Sequence, residues 1–255
     1  MKIGMIQLKV IEGDISKNTE HLEKMIQEYK TDDVDALCFP ELCISGYQFD
    51  RADVIDELSF MAKIAKKYKI AIIGGVHAIH TGLHYDTACL WDDTGELIGE
   101  YKKIHLWSSE NDFFKSGTNL VIVPYKGWNI GLLLCADLGF PEISGPLATK
   151  MNADILIYLS AWAAGYEDLF VTCTKARAAE NQIYVLSLNR ATGNVQYCGN
   201  SLAAGPDGSV LGHLPYSEEG YLEVELEREH IKRVRREIPW REMKNNELYC
   251  KFWKE

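Results

Sequence analysis

The chain has 255 residues, 47% of them hydrophobic, and a formal net charge of −10. Its apolar share is that of a globular protein. The acidic balance argues against the basic face that nucleic-acid binders carry, and no stretch approaches the ~18 uninterrupted apolar residues of a membrane span.

Lys2 to Val10 reads as a first strand, entered at once with no charged-then-apolar leader. Seven cysteines, at 38, 43, 89, 135, 173, 198 and 250, form no C-x-x-C pair, which gives no support to a zinc or thioredoxin-like motif. Together these lead to the expectation of a cytoplasmic chain with reduced thiols. Gly13-Asp14 breaks the strand, and Asp14 or Ser16 can cap a helix over 17–29 with Leu22, Met25 and Ile26 on one face. A short buried strand over 35–39 ends at Pro40-Glu41, and a helix is predicted over 54–68. A third strand covers 70–79, where His77 and His80 offer too few ligands for a metal site. Asp92-Asp-Thr-Gly95 joins strands 84–91 and 97–102 as a hairpin, and Tyr125-Lys-Gly127 does the same for 120–123 and 128–134.

Beyond Cys135, the pattern predicts a helix over 142–151, a strand over 154–160, a helix over 170–181 and a strand over 183–188. Two hairpins are then expected, around Ala204-Gly-Pro-Asp-Gly208 and near Ser217-Glu-Glu-Gly220. A short charged helix follows, in which Lys232-Arg-Val-Arg-Arg236 reads as a solvated face. Trp240, Phe252 and Trp253 in the charged tail are candidates for either an interface or core packing. Strands that alternate with helices but are also linked as hairpins imply mixed sheets with helices outside them. No Pro- or Ser-rich linker divides the chain, so residues 1–255 are expected to form a single domain. Phe-Pro-Glu occurs at both 39–41 and 140–142, a slight hint of related halves.

Ile130 to Leu134 is a short apolar run that stops at Cys135, where Asp137 and Gly139 turn the chain and Pro141-Glu142 opens the helix. A cysteine at such a strand tip is either a buried structural thiol or a rigidly aimed nucleophile. Glu41 follows a buried strand in apolar surroundings, where burial raises a carboxyl pKa and suits a general base. In Tyr101-Lys-Lys-Ile-His-Leu-Trp107 alternation sends Lys102 and Lys103 to opposite faces. An inward Lys103 needs anionic company, and Glu110 stands seven residues on. A glutamate that takes the thiol proton, a thiolate that attacks an electron-poor carbon, and a lysine that stabilises the oxyanion form a coherent set.

These contexts, Phe-Pro-Glu-Leu-Cys-Ile-Ser-Gly-Tyr, Tyr-Lys-Lys-Ile-His-Leu and Leu-Cys-Ala-Asp-Leu-Gly-Phe-Pro-Glu, resemble the nitrilase superfamily of carbon–nitrogen hydrolases. The resemblance continues through Ala176-Arg-Ala-Ala-Glu-Asn181, Asn189-Arg190, Tyr197-Cys-Gly-Asn-Ser201 and Pro206-Asp-Gly208. It implies a four-layer α-β-β-α sandwich with two mixed sheets, no cofactor and no metal. It further implies Glu41 as base, Lys103 as oxyanion stabiliser, Cys135 as nucleophile, Glu110 as an additional catalytic glutamate and the Ala136 N–H as a second oxyanion donor. The implied activity is hydrolysis of a small amide or carbamoyl compound by water through a thioester, in a homodimer or larger homo-oligomer. A nitrilase and a catalytically silent interaction protein are the alternatives. Where many relatives that act on carbamoyl amino acids have an arginine, this chain has Gly145. Tyr47, the 110–114 loop and Trp162 are the expected walls of the substrate pocket, with Arg177 or Arg190 the remaining candidates for an anion site.

Overall fold

Two sets of parallel strands, each crossed by helices and extended by hairpins, organise the computed structural model, which describes residues 1–48 and 55–252. In the first half β1 (Lys2–Gln7), α1 (Ile15–Tyr29), β2 (Ala36–Cys38), α2 (Glu57–Tyr68) and β3 (Ala71–His80) follow one another. β1, β2 and β3 pair in parallel. β4 (Leu83–Trp91) and β5 (Leu97–Lys102) then fold back antiparallel. After a short α3 (Glu110–Phe113), the second half repeats the plan. β6 (Ile122–Tyr125) and β7 (Trp128–Leu134) form a hairpin, and a tight 3-10 turn over 135–139 leads into α4 (Pro141–Thr149). β8 (Ile155–Leu159), α5 (Glu167–Asn181) and β9 (Tyr184–Leu188) continue the parallel set. β10 (Leu202–Ala204), β11 (Val210–His213), β12 (Gly220–Glu225), α6 (Arg228–Glu237), α7 (Trp240–Met243) and α8 (Asn246–Phe252) finish the described chain.

Among the described residues the strands form two six-stranded sheets, ordered β12-β1-β2-β3-β4-β5 and β11-β10-β9-β8-β7-β6. Period-two alternation sorts the first sheet between two cores. Ile3, Met5, Ala36, Cys38, Ala88 and Leu90 share a core with the buried residues of β7, β8 and β9. Ile6, Leu37, Cys89 and Trp91 instead pack with Leu22, Met25 and Ile26 of α1 and Met61 and Ile64 of α2. α5 lies against β9, with α4 beside it. The result is a mixed α-β-β-α sandwich. Each fully buried large apolar side chain contributes roughly 1.5–3 kcal/mol, so a few of them offset the several kcal/mol lost in burying one ion.

Asp14 caps α1 by accepting from the Lys17 N–H at 3.1 Å. Of the helix predicted over 54–68, residue 54 lies outside the described residues, and the described part begins at Glu57 with Asp56 as its cap. α5 starts a turn before its predicted residue 170, with Glu167 and Asp168 in its first turn. The hairpin around 204–208 forms between β10 and β11. The one expected near 217–220 does not: β11 pairs with β10, whereas β12 crosses to the other sheet and runs antiparallel to β1. A turn signal marks the bend but not the sheet that the next strand joins. Among the described residues no helix is long and apolar enough to cross a membrane. Ile231 and Val234 anchor α6 and Lys232, Arg233 and Arg236 face outward, whereas Arg235 departs from the expected solvated face: it is half-buried and donates from Nε to Gln182 O at 3.2 Å. Trp240 and Phe252 are exposed, and Trp253 lies outside the described residues.

Candidate active site

Glu41 lies in the turn after β2, held against β3 by bonds from Phe39 N to Ile73 O (2.8 Å), Gly75 N to Pro40 O (3.2 Å) and Cys43 N to Gly75 O (2.9 Å). A Cβ on Gly75 would stand 2.4 Å from the Glu41 Cα, so only glycine admits this approach. From the segment after β9, buried Arg190 donates from Nε to Glu41 O and from Nη2 to Leu42 O, both at 2.8 Å. Its Nη1 meets Glu12 Oε1 at 2.7 Å and the Tyr197 hydroxyl at 3.2 Å.

Lys103 follows β5 directly. Alternation leaves Lys102 half-buried over the Tyr85 ring, 4.1 Å from its centroid, and turns Lys103 fully inward. The backbone is pinned on both sides, by Lys103 N to Asp86 O (2.9 Å) and by Gly117 N to Lys103 O (2.8 Å). Lys103 Nζ donates to Glu41 Oε1 at 2.6 Å and Glu110 Oε1 at 2.8 Å, and lies 3.4 Å from Asp86 Oδ2. Glu110 also accepts from the Tyr47 hydroxyl at 2.8 Å and from Trp107 N at 2.8 Å.

Cys135 sits at the tip of β7 at φ 33°, with 9% of its surface exposed. Asp137, two residues on, is fully buried and holds this bend. It accepts from Leu134 N at 3.0 Å and the Tyr101 hydroxyl at 2.7 Å, and its Oδ1 lies 2.7 Å from His105 Nδ1. The segment that carries Lys103 is thereby tied to the one that carries Cys135. Beyond β8, Ala161 N donates to Glu41 Oε2 at 2.8 Å. The Asn189 side chain accepts from Trp162 N at 2.7 Å and donates to Trp162 O at 3.2 Å. Glu41, Cys135 and Ala161 thus follow parallel strands at their carboxyl ends, where open α/β sheets gather reactive groups.

The charges divide unequally over these groups. Burial pushes Glu41 up, but the Lys103 charge, the neighbouring Asp86 carboxyl, the hydrogen bond from Lys103 and the Arg190 charge together outweigh it and hold Glu41 below the usual carboxylate range. This corrects the expectation that burial raises its pKa. Burial and the Glu41 charge push Glu110 upward. Burial, together with the Glu41 charge, raises the Cys135 thiol well above its ordinary value, although Lys103 and the Ala161 N–H oppose this. Burial opposes the Lys103 charge, yet the negative charge of Glu41 foremost holds it well above the usual lysine range. The set therefore combines a neutral thiol, an ionised Glu41 and an ammonium.

The structure thus brings Glu41, Lys103, Glu110, Tyr47 and the Ala161 edge together around the tip that carries Cys135. Ala136 is half-buried at the start of the 3-10 turn, where leading N–H groups lack partners inside the turn. Trp162 packs its ring on Phe170 and donates from Nε1 to Tyr166 O at 3.2 Å. Arg177 bonds Leu138 O and Glu180, so both candidate arginines are engaged within the protein. Gly145 has open space where a Cβ would stand. Of the two Phe-Pro-Glu glutamates, Glu41 is buried and Glu142 exposed. His77 pairs with His84 at 2.8 Å and His80 with Glu100 at 2.5 Å. The carboxyls of Glu41, Asp86 and Glu110 lie within 4.8 Å of one another, and the cation among them is the Lys103 ammonium. Sequence reasoning missed Asp86 and the anchoring role of Asp137. Asp86 shares strand parity with inward Ala88 and Leu90, which could have revealed it; Asp137 read only as a turn former.

The fold thus gathers a thiol, a lysine and carboxylates at one end of its parallel strands. The chain belongs to the carbon-nitrogen hydrolase family, whose sequence model matches residues 2–236. It is 31% identical over 253 residues to a Staphylococcus aureus protein named hydrolase in agr operon, covering 94% of this chain and 96% of that one. It is 30% identical over 252 residues to an (R)-stereoselective amidase from a Pseudomonas species, with 94% and 90% covered. A structure of a mutant amidase from Nesterenkonia sp. AN1, showing Michael addition of acrylamide at its active-site cysteine, superposes with a TM-score of 0.82. That match has 26% identity and covers 93% of this chain and 98% of the other.

Proposed function

We propose that this chain is a thiol amidohydrolase that cleaves the C–N bond of a small amide or carbamoyl compound and releases ammonia. The observation that carries the reading is the Lys103 ammonium held between Glu41 (2.6 Å) and Glu110 (2.8 Å) beside the Cys135 tip. The ionised Glu41 takes the thiol proton as sulfur bonds to the carbonyl carbon. The carbonyl electron pair moves to oxygen, which meets Lys103 and the Ala136 N–H. Collapse breaks the C–N bond, and the leaving nitrogen takes the proton from Glu41 and departs as ammonia. Water, deprotonated by Glu41, then attacks the thioester, releasing the acid and restoring the thiol. Glu110 and the Tyr47 hydroxyl keep Lys103 aimed, and Trp162 walls the acyl side. The amidase named among the relatives supports this choice over a nitrilase.

The chain is read as one domain that works in the cytoplasm as a homo-oligomer without a cofactor. Ammonia release from a panel of small amides, carbamoyl compounds and nitriles tests the activity. Turnover of amides or carbamoyl compounds is expected. Turnover of nitriles alone would make the chain a nitrilase, and no turnover in any class would favour a silent interaction protein. Sedimentation tests the oligomer, and a monomer at micromolar concentration would overturn that part.

A further inference from the structure

One buried carboxyl beside Lys103 has no task in this mechanism. Asp86 comes from β4, on the face that carries Ala88 and Leu90 into the core between the sheets. It is fully buried, and neither carboxyl oxygen accepts a hydrogen bond from the described residues. Its nearest cation is Lys103 Nζ, at 3.4 Å. Glu41 from the β2 turn and Glu110 from α3 face it within 4.8 Å. The Tyr47 hydroxyl and the Cys89 thiol also lie within electrostatic range of it, and His77 is its cross-strand neighbour. A buried carboxylate without donors is strongly disfavoured, and protonation relieves it.

An ammonium has three N–H groups. Lys103 spends two of them on Glu41 and Glu110, so one remains for a developing oxyanion. An ionised Asp86 would draw on that last donor and set three negative charges against one positive. A protonated Asp86 makes no such demand and has a proton to give to Glu41, whose carboxyl lies within 4.8 Å.

We propose that Asp86 is a positioning residue, a neutral carboxylic acid that hydrogen-bonds to Glu41, fixes that base and leaves the third Lys103 N–H to the oxyanion. The electrostatics agree in direction. Burial and the Glu41 charge push Asp86 well above the carboxylate range, while Glu41 lies below it. The kinetic part rests on the reading of Glu41 as base. The protonation state does not, because it can be read without a substrate.

Two measurements test this. The infrared difference between wild type and Asp86→Asn at pH 7 should show that the variant has lost the carbonyl band of one buried, protonated carboxyl, while the band of Glu57, whose pKa burial pushes up to about 7, is common to both and cancels. In turnover of whichever amide the panel identifies, Asp86→Leu should lose at least about 100-fold in kcat, the lower end for an impaired general base. Asp86→Asn, whose amide can donate to Glu41 as the acid does, should recover to within about tenfold of wild type, on the same scale. No carbonyl band lost between wild type and Asp86→Asn overturns the proposal. So does an Asn variant as slow as the Leu variant, since the charged carboxylate would then be what the site needs. If Asp86→Leu fails to fold, the infrared comparison alone decides.

Discussion

Arg190 donates from Nη2 to the carbonyl of Leu42 at 2.8 Å, and Leu42 stands at φ 44°, in the left-handed region. Such a conformation in a leucine is disfavoured by roughly 1–2 kcal/mol and persists where its surroundings impose it. Arg190 does so with a rigid fork, since Nε holds the carbonyl of Glu41 in the same turn. The guanidinium, fully buried, thereby fixes the backbone from which Glu41 reaches Lys103.

Arg190→Met should therefore destabilise the fold by about 3 kcal/mol, the lower end for removing one partner of a buried ion pair, because Glu12 loses its counter-charge. Arg190→Lys should recover little, as one ammonium cannot span both carbonyls. Urea denaturation checks the first, and the same turn slackening should appear as reduced kcat in whatever folds.

Cys135→Ala should abolish turnover with the melting temperature little changed. Both residues carry a Cβ, so the strain at φ 33° is common to them and only the sulfur is lost. Glu41→Gln should slow acylation at least about 100-fold while keeping an acceptor for Ala161 N. Substantial single-turnover activity in either variant would mean that the catalytic roles are misassigned.

Lys103→Met leaves Glu41, Glu110 and Asp86 facing one another without a cation. Their shared remedy is protonation, so the folded variant should bind more protons than the unfolded chain. Its stability should rise as pH falls from 8 to 5, and its activity should be lost at every pH. Thermal melts across that range should show a steeper slope than in wild type, which has the Glu57 contribution too, and a slope no steeper than wild type would contradict the assignment of the cluster.

Glu57 gives a second pH dependence, away from the reaction. Burial pushes its pKa up to about 7, against which the His77 N–H and Ser45 only partly act. Between the unfolded value near 4.5 and about 7, the folded chain keeps a proton that the unfolded chain releases. This contribution to stability is therefore full at low pH and falls as pH rises through that window, by up to about 3 kcal/mol. Glu57→Gln should be more stable than wild type at pH 8 and no more stable at pH 4.5.

Substrate charge is the remaining test. Arg177 and Arg190 are both engaged with protein acceptors, Gly145 stands in open space, and the site carries carboxyls in excess of its lysine. Neutral or cationic small amides should outperform carboxylate-bearing ones in kcat/KM. A preference for the anionic analogue would reveal a cation site elsewhere. Gly145→Arg, which meets nothing within 4 Å at its Cβ, should narrow the difference.

The sequence alone determined the local pieces. Alternation at Lys102-Lys103 turned one lysine inward, a short apolar run placed Cys135 at a strand tip, and the three motif contexts, in order, named the family and with it the sandwich. These are properties of neighbouring residues, where the periods of strand and turn operate. Only the tertiary structure decided what depends on distant pairing. Arg190 reaches the Glu41 turn across 149 residues of chain, and Asp137 ties the Lys103 segment to the Cys135 bend. β12 joins the first sheet instead of pairing with β11, and Asp86 completes the ring of carboxyls around Lys103. Even the direction of the Glu41 pKa was decided there. Burial alone raises it, and the Lys103 ammonium, brought within 2.6 Å by the fold, reverses the sign only together with Asp86 and Arg190, which the fold also brings to this carboxyl.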